Sequence, residues 1–330
     1  MSDEMVRYVT AAAGRDASAV RAAARLMTLL SDEPARLPEL FQAYAAAGFA
    51  PGEEFPSPRL LVGITGAPGC GKSTLTDALV REFRRRQPAR RVGVIAVDPS
   101  SPFTGGAVLG DRVRMMRHAT DPMVFVRSLA TRGHLGGLTL GVKGIIRVMA
   151  LIGCDVVFVE TVGVGQSEVE IASVADLVMI VLAPGQGDSI QLLKAGLMEI
   201  GDMLVVNKAD RPEAARLHSQ VLSMLKMDDR PGRAKAYLVS AEEQRGLDEL
   251  VNDLETLGSE HHEEWQARRR RAVTEEIRDA ILHEAQRRLA DSFANGHGAA
   301  AIERVLSGET TVDGAAAALL RSVAGEKAEG

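Results

Sequence analysis

At 330 residues with 46% hydrophobic content, the chain is long enough to bury one large core and carry smaller appendages. Its formal net charge of −5 argues against the global basic field that a nucleic-acid partner would need. Cys70 and Cys154 are too few and too far apart for a disulfide framework or a CxxC metal site. With no basic-then-apolar leader and no membrane-length apolar run, a soluble protein of the reducing cytoplasm, without a membrane partner, is expected.

Residues 1–57 are alanine-rich, with apolar positions at helical spacing: Val20, Ala23, Ala24, Met27 and Leu30, then Leu37, Leu40, Phe41 and Tyr44. This predicts a helical N-terminal extension, ended by the linker-like PGEEFPSP at 51–58. Over 58–257, short runs rich in β-branched residues recur at 60–65, 91–97, 123–127, 155–160, 177–183, 203–206 and 236–239. Helical lengths separate them. The pattern predicts an α/β domain with a mostly parallel sheet covered on both faces. Over 258–330 the chain turns helical again, and Val273, Ile277, Ile281, Ala285, Leu289 and Phe293 step by four in a stripe that must bury against something. The Arg268–Arg271 run, with Glu263, Glu264, Glu275 and Glu276 nearby, reads as a solvated helix face.

The run at 60–65 leads into GAPGCGKS at 66–73 and then into a helical stretch at 73–84. Gly66, Gly71, Lys72 and Ser73 fill the fixed places of G-x-x-x-x-G-K-[ST], and strand, loop and helix are the context that a phosphate-binding P-loop needs. An ordinary glycine-rich turn is the bland alternative. In a P-loop the stretch Gly66, Ala67, Pro68, Gly69, Cys70, Gly71 turns its backbone N–H groups toward phosphate, and Ser73 and Thr74 open a helix whose dipole favours the anion. Lys72 would reach the β and γ oxygens and Ser73 would ligate Mg²⁺. Cys70 reads as a small filler.

NKAD at 207–210 follows the apolar run 203–206, at the carboxyl end of a predicted strand, where open α/β sheets bind ligands. Asp210 can accept from both N1–H and the exocyclic amine of guanine, whereas adenine presents an acceptor at N1. GTP and GDP are therefore expected over ATP, with Asn207 and Lys208 in the same loop. Ser240 and Ala241, after the run 236–239, fit the small loop that backs the base.

Two acidic residues end strand-like runs, Asp98 in RVGVIAVD and Glu160 in DVVFVE. Mg²⁺ takes phosphate oxygens, a hydroxyl, waters and one or two carboxylates, so either could enter its shell or merely cap a strand. Asp111, in GGAVLGDRVRM, is a further candidate with the same alternative. Gly163, in ETVGVGQSE, could offer its backbone N–H to the γ-phosphate, placing Lys72, Glu160 and Gly163 at the reacting end. Where many small GTPases carry a water-orienting glutamine stands Val164, with Gln166 two residues on. Slow hydrolysis follows unless another group is brought in, and such a group can be worth about 10³ to 10⁵ in rate.

With these motifs in order the chain resembles the MeaB/MMAA family, also once catalogued as ArgK. These are GTPase chaperones of adenosylcobalamin-dependent acyl-CoA mutases. The resemblance runs over 58–257 and rests on GAPGCGKST, VDPSSPFTGGAVLGDRVRM, ETVGVGQSE, PGQGDSIQLLKAG and NKAD. It implies that Lys72 and Ser73 hold phosphate and magnesium, that Asp98, Asp111 and Glu160 belong to the metal shell, and that Asn207, Lys208 and Asp210 bind guanine. It also implies a third switch at Asp188, Gln191 and Lys194 that relays nucleotide state to the mutase. Spacing alone would leave those three as a solvated helix start. The family further implies a C-terminal dimerisation arm and hence a homodimer. The expected partner is methylmalonyl-CoA mutase or a sister for isobutyryl- or 2-hydroxyisobutyryl-CoA, whose cofactor loading the GTPase gates and which it protects or reactivates. Two other readings compete. A nickel-insertion GTPase would share the P-loop domain but usually carries Cys/His ligands, for which only His261 and His262 could stand in. A small-molecule kinase would have little use for NKAD.

Overall fold

The computed structural model describes residues 3–14, 18–49, 55–98, 118, 120–130, 137–161, 171–185, 198–227, 234–260 and 262–324. The chain divides into two compact units, Met1–Gln266 and Ala267–Gly330.

The first unit is built on a seven-stranded sheet of β1 (Leu60–Thr65), β2 (Arg91–Asp98), β3 (Val124–Ala130), β4 (Cys154–Thr161), β5 (Leu177–Leu182), β6 (Met203–Val206) and β7 (Lys235–Leu238). Every pairing is parallel, so the mostly parallel sheet of the sequence reading is parallel throughout. LLVGIT, LVMIVL and MLVV are buried at every position, the continuous apolar composition expected of strands covered on both faces. The strand order is β3-β2-β4-β1-β5-β6-β7. From β1 the chain passes over β4 to reach β2, and from β4 it passes over β1 in the opposite direction to reach β5. The order thus reverses around β1, and the carboxyl ends of β1 and its neighbours frame the crevice where such sheets bind ligands. Ile64 of β1 lies in register with Glu160 of β4 on one side and Met179 of β5 on the other.

Helices α1 (Asp3–Ala13), α2 (Ala19–Asp32) and α3 (Leu37–Ala46) precede the sheet. α4 (Lys72–Arg86), α5 (Gly137–Leu151), α6 (Glu213–Met227) and α7 (Leu247–Glu260) lie between or after its strands. One apolar layer joins α4 and α7 to the sheet through Leu75, Leu79, Phe83, Phe158, Leu250 and Leu254. The opposite layer holds α5 and α6 together with all three N-terminal helices. α2 reaches α5 at Gly144, where an added Cβ would stand 3.2 Å from Leu30 Cδ1, so the missing side chain lets the two helices approach. Full burial of Leu26, Met27 and Leu30 stabilises this packing by about 1.5–3 kcal/mol per side chain.

The buried stripe of α2 is Ala19, Ala22, Ala23, Leu26, Met27 and Leu30. Val20, assigned to that face by spacing, is instead 40% exposed. In AVRAAAR alanine is available on several faces and contributes little area, so the large side chains at 26, 27 and 30 choose which face turns inward.

The second unit contains most of α8 (His262–Ala294), followed by α9 (His297–Leu306) and α10 (Val312–Ala324). On α8 the predicted stripe is half-buried only at Ala285 and Leu289, while Val273, Ile277, Ile281 and Phe293 are exposed.

Candidate functional site

The loop between β1 and α4 needs its glycines. Gly66, Gly69 and Gly71 have φ of +142°, +75° and +93°, conformations that side chains with a Cβ rarely adopt. At Gly66 a Cβ would stand 2.1 Å from the Val181 carbonyl oxygen, which makes the β1–β5 contact as restrictive as the backbone angle. Lys72, the first residue of α4, is buried and donates from Nζ to the carbonyls of Gly66 at 2.7 Å and Ala67 at 3.2 Å. Its ammonium is thereby held within the loop, beside the N-terminus of a 15-residue helix. Cation, turned backbone and helix dipole together make a site for polyphosphate. Cys70 is buried behind the loop, and that burial pushes its thiol pKa up, consistent with a filler and not a reactive group.

Pairing of β1 with β4 brings Glu160 to the same place. Ser73 donates from Oγ to Glu160 Oε1 at 2.5 Å, and both residues are buried. A hydroxyl and a carboxylate at the start of a phosphate-binding helix form a hard-oxygen donor set, which fits Mg²⁺. Ser73 and Glu160 are the residues that could hold it, and the ion would supply charge neutralisation for the phosphates. Thr76, one turn further along α4, also donates toward Glu160, reaching Oε2 at 3.1 Å. Thr76 was not singled out by motif reading, although its place three residues after Ser73 puts it on the same helix face.

Asp98 ends β2, two residues beyond Ala96, the register partner of Glu160. Its side chain lies outside the described residues. So do Gly163, Asp111, Asp188, Gln191 and Lys194. The strands that lead into the segments 162–170 and 186–197, β4 and β5, flank β1 on its two sides.

The NKAD loop meets the glycine loop through Asn207. Its Nδ2 donates to the carbonyls of Cys70 at 3.1 Å and Gly71 at 3.4 Å, while its Oδ1 accepts from the Ala241 amide at 3.1 Å. One side chain therefore ties together three loops distant in sequence. Lys208, at φ +61°, extends across the loop to the Gly69 carbonyl at 2.7 Å. Asp210 is exposed, and its Oδ1 accepts from Ser240 Oγ at 2.8 Å. That hydrogen bond, ahead of the backbone and nearby charges, holds the Asp210 carboxyl below the usual carboxylate range. Pro68 and Gly69 sit exposed at the loop's crest, and Thr74 is half-buried in the first turn of α4. Among the described residues no group of three or more His, Cys, Asp and Glu side chains could form a separate metal centre, and no helix is long and apolar enough to cross a membrane.

A glycine loop and an NKxD loop, joined at the reversal point of a parallel sheet, define a P-loop GTPase, which binds guanine nucleotide and hydrolyses GTP. Residues 57–294 match the family described as methylmalonyl Co-A mutase-associated GTPase MeaB, and the chain belongs to that family. It is 40% identical over 317 residues to a Pyrococcus abyssi protein named "Putative GTPase", spanning 92% of this chain and 93% of that one. With the Escherichia coli GTPase ArgK it shares 40% identity over 201 residues, 58% of this chain and 59% of the relative. The crystal structure of an LAO/AO transport system kinase has the same fold, with a TM-score of 0.62 at 24% identity over 98% of this chain and 99% of that one.

Proposed function

We propose that the protein is a nucleotide-gated chaperone of an adenosylcobalamin-dependent acyl-CoA mutase, which controls cofactor loading and protects or reactivates the mutase. The observation that carries this reading is the match of 57–294 to GTPases described as mutase-associated. Two features support it. Val164 stands where many GTPases keep a catalytic glutamine, which suits a slow switch whose turnover depends on a partner. β4 and β5, the strands that precede the segments 162–170 and 186–197 in the chain, flank β1, the strand that leads into the phosphate loop, which suits segments that respond to nucleotide state.

In this reading Gly66 to Thr74 cradle the phosphates, Ser73 and Glu160, with Asp98 and Asp111, surround Mg²⁺, and Asn207, Lys208, Asp210, Ser240 and Ala241 hold guanine. Asp188, Gln191 and Lys194 report to the mutase. The exposed Val273, Ile277 and Ile281 of α8 suit a C-terminal arm that pairs with a second copy, giving a homodimer. The two buried free thiols suit a reducing cytoplasm.

A partner can be driven by GTP only if it binds the two nucleotide states with different affinity. Lys194→Ala should therefore leave GTP affinity within about threefold of wild type, a change below roughly 0.7 kcal/mol. It should abolish mutase-stimulated hydrolysis and nucleotide-gated cobalamin transfer. The assays are calorimetry, phosphate release and cobalamin transfer with methylmalonyl-, isobutyryl- and 2-hydroxyisobutyryl-CoA mutases. Failure of the wild-type protein to bind, or be stimulated by, any of the three would remove the proposed partner class.

A further inference from the structure

We infer that Thr76 is a positioning residue for the Glu160 carboxylate and, through it, for the divalent cation of the site. The inference rests on the reading that Glu160 belongs to the magnesium shell.

Thr76 is fully buried on α4, one turn after Ser73. Its Oγ1 lies 3.1 Å from Glu160 Oε2, while Ser73 Oγ lies 2.5 Å from Oε1. The two carboxylate oxygens thus face two hydroxyls on one face of one helix, at positions i and i+3. Glutamate's last torsion has broad minima, so packing of the stem does not fix the plane of the carboxylate. Two separate contacts, one to each oxygen, do fix it.

The bland account of a buried helical threonine is a bond back to the carbonyl four residues earlier, and Thr76 Oγ1 does lie 3.0 Å from Lys72 O. A hydroxyl has one proton to give. The two acceptors lie at nearly equal distance, so the bond back along the helix does not by itself account for a hydroxyl that also faces Glu160 Oε2. Ser73 occupies the place where the motif expects a cation ligand. Thr76, deeper in the helix, is placed to restrain the carboxylate from its other oxygen, a role separate from contact with the ion. Its own hydroxyl faces the oxygen that Ser73 does not hold.

Thr76→Val keeps the shape and removes the hydroxyl, and Thr76→Ser keeps the hydroxyl. GDP binding would be measured by calorimetry across a magnesium titration and in EDTA, so that no turnover enters the readout. Thr76→Val should need about tenfold more magnesium to reach half-maximal enhancement of GDP affinity, equivalent to roughly 1.4 kcal/mol. Its GDP affinity in EDTA should stay within about threefold of wild type. Thr76→Ser should restore the wild-type midpoint to within the same factor. If Thr76→Val no longer binds GDP in EDTA, Thr76→Ala takes its place with the same expected shift. A wild-type magnesium midpoint in the hydroxyl-free variant, while Glu160→Gln loses its magnesium response, would overturn the role of Thr76 and leave Glu160 in the shell. An unaltered magnesium response in Glu160→Gln would overturn the shell reading and this inference with it.

Discussion

Asparagine at position 210 should convert a guanine site into a xanthine site. The Asp210 carboxylate is aimed by Ser240, whose Oγ donates to Oδ1 at 2.8 Å, and an asparagine carbonyl can accept the same bond. The loop should therefore keep its shape in Asp210→Asn. What changes is the second oxygen's chemistry, from acceptor to N–H donor. Guanine offers two donors to the carboxylate; in the variant one of them meets a neutral carbonyl oxygen in place of an ionised one and the other faces an N–H donor, so GDP affinity should fall on the order of a hundredfold. Xanthine carries a carbonyl in place of the exocyclic amine and should gain what guanine loses. The measurement is calorimetry of wild type and variant with GDP, XDP and ADP. The Ser240 hydrogen bond holds the Asp210 carboxyl below its ordinary pKa, so loss of GDP affinity through protonation of this group should set in at a lower pH in wild type than in Ser240→Ala, which removes that donor. Retention of GDP affinity within about threefold in Asp210→Asn, a change under roughly 0.7 kcal/mol, would refute the reasoning, as would equal affinity of wild type for ADP and GDP.

Gly71→Ala places a Cβ at φ +93° and 2.5 Å from Asn207 Nδ2; it should cost about 1–2 kcal/mol in backbone strain alone, lower Tm by roughly 2–8 °C in scanning calorimetry and weaken GDP binding. Glu82 is hydrogen-bonded by Arg85 and Arg86, which bring its carboxyl from an ordinary 4.5 down to about 2. A depressed carboxylate stabilises the fold above its unfolded pKa, and that contribution is lost as pH falls through the folded one; Glu82→Gln should flatten the acid limb between about 4.5 and 2 in denaturant unfolding curves. Ending the chain after Gln266 removes the second unit but leaves Leu250, Val251 and Leu254 in their buried places. The shortened protein should bind GDP normally and run as a monomer in light scattering, and an unchanged mass would dispose of the arm as the dimer contact.

The strand runs at 60–65 and 203–206 coincide with β1 and β6 because these strands are apolar from end to end. The run at 123–127 did not show that β3 continues to Ala130, since Arg127 and Ser128 interrupt it. β3 lies at the sheet edge, where polar residues can remain half-exposed within a strand. Helical period mis-set α2 at Val20, because an alanine-rich segment carries too little contrast between faces. On α8 the helix was legible, but the stripe expected to bury is exposed at Val273, Ile277, Ile281 and Phe293, since a period marks a face and does not supply what covers it.

Local chemistry was enough for the phosphate loop. Its requirements are positive φ at Gly66, Gly69 and Gly71, a cation at Lys72 and a helix start, and all of these are properties of consecutive residues. The same holds for NKAD and for the alternation of strands and helices. Strand order is different in kind, because pairing β4 rather than β2 beside β1 depends on contacts between residues nearly a hundred positions apart. That pairing brings Glu160 against Ser73 and Thr76, the approach of β6 to β5 brings Asn207 onto the loop, and that of β7 to β6 brings Ala241 onto Asn207. Motif residues could thus be named from the sequence, whereas the partners that hold each one in place were decided by tertiary packing, since a hydrogen bond across 84 positions leaves no trace in local spacing.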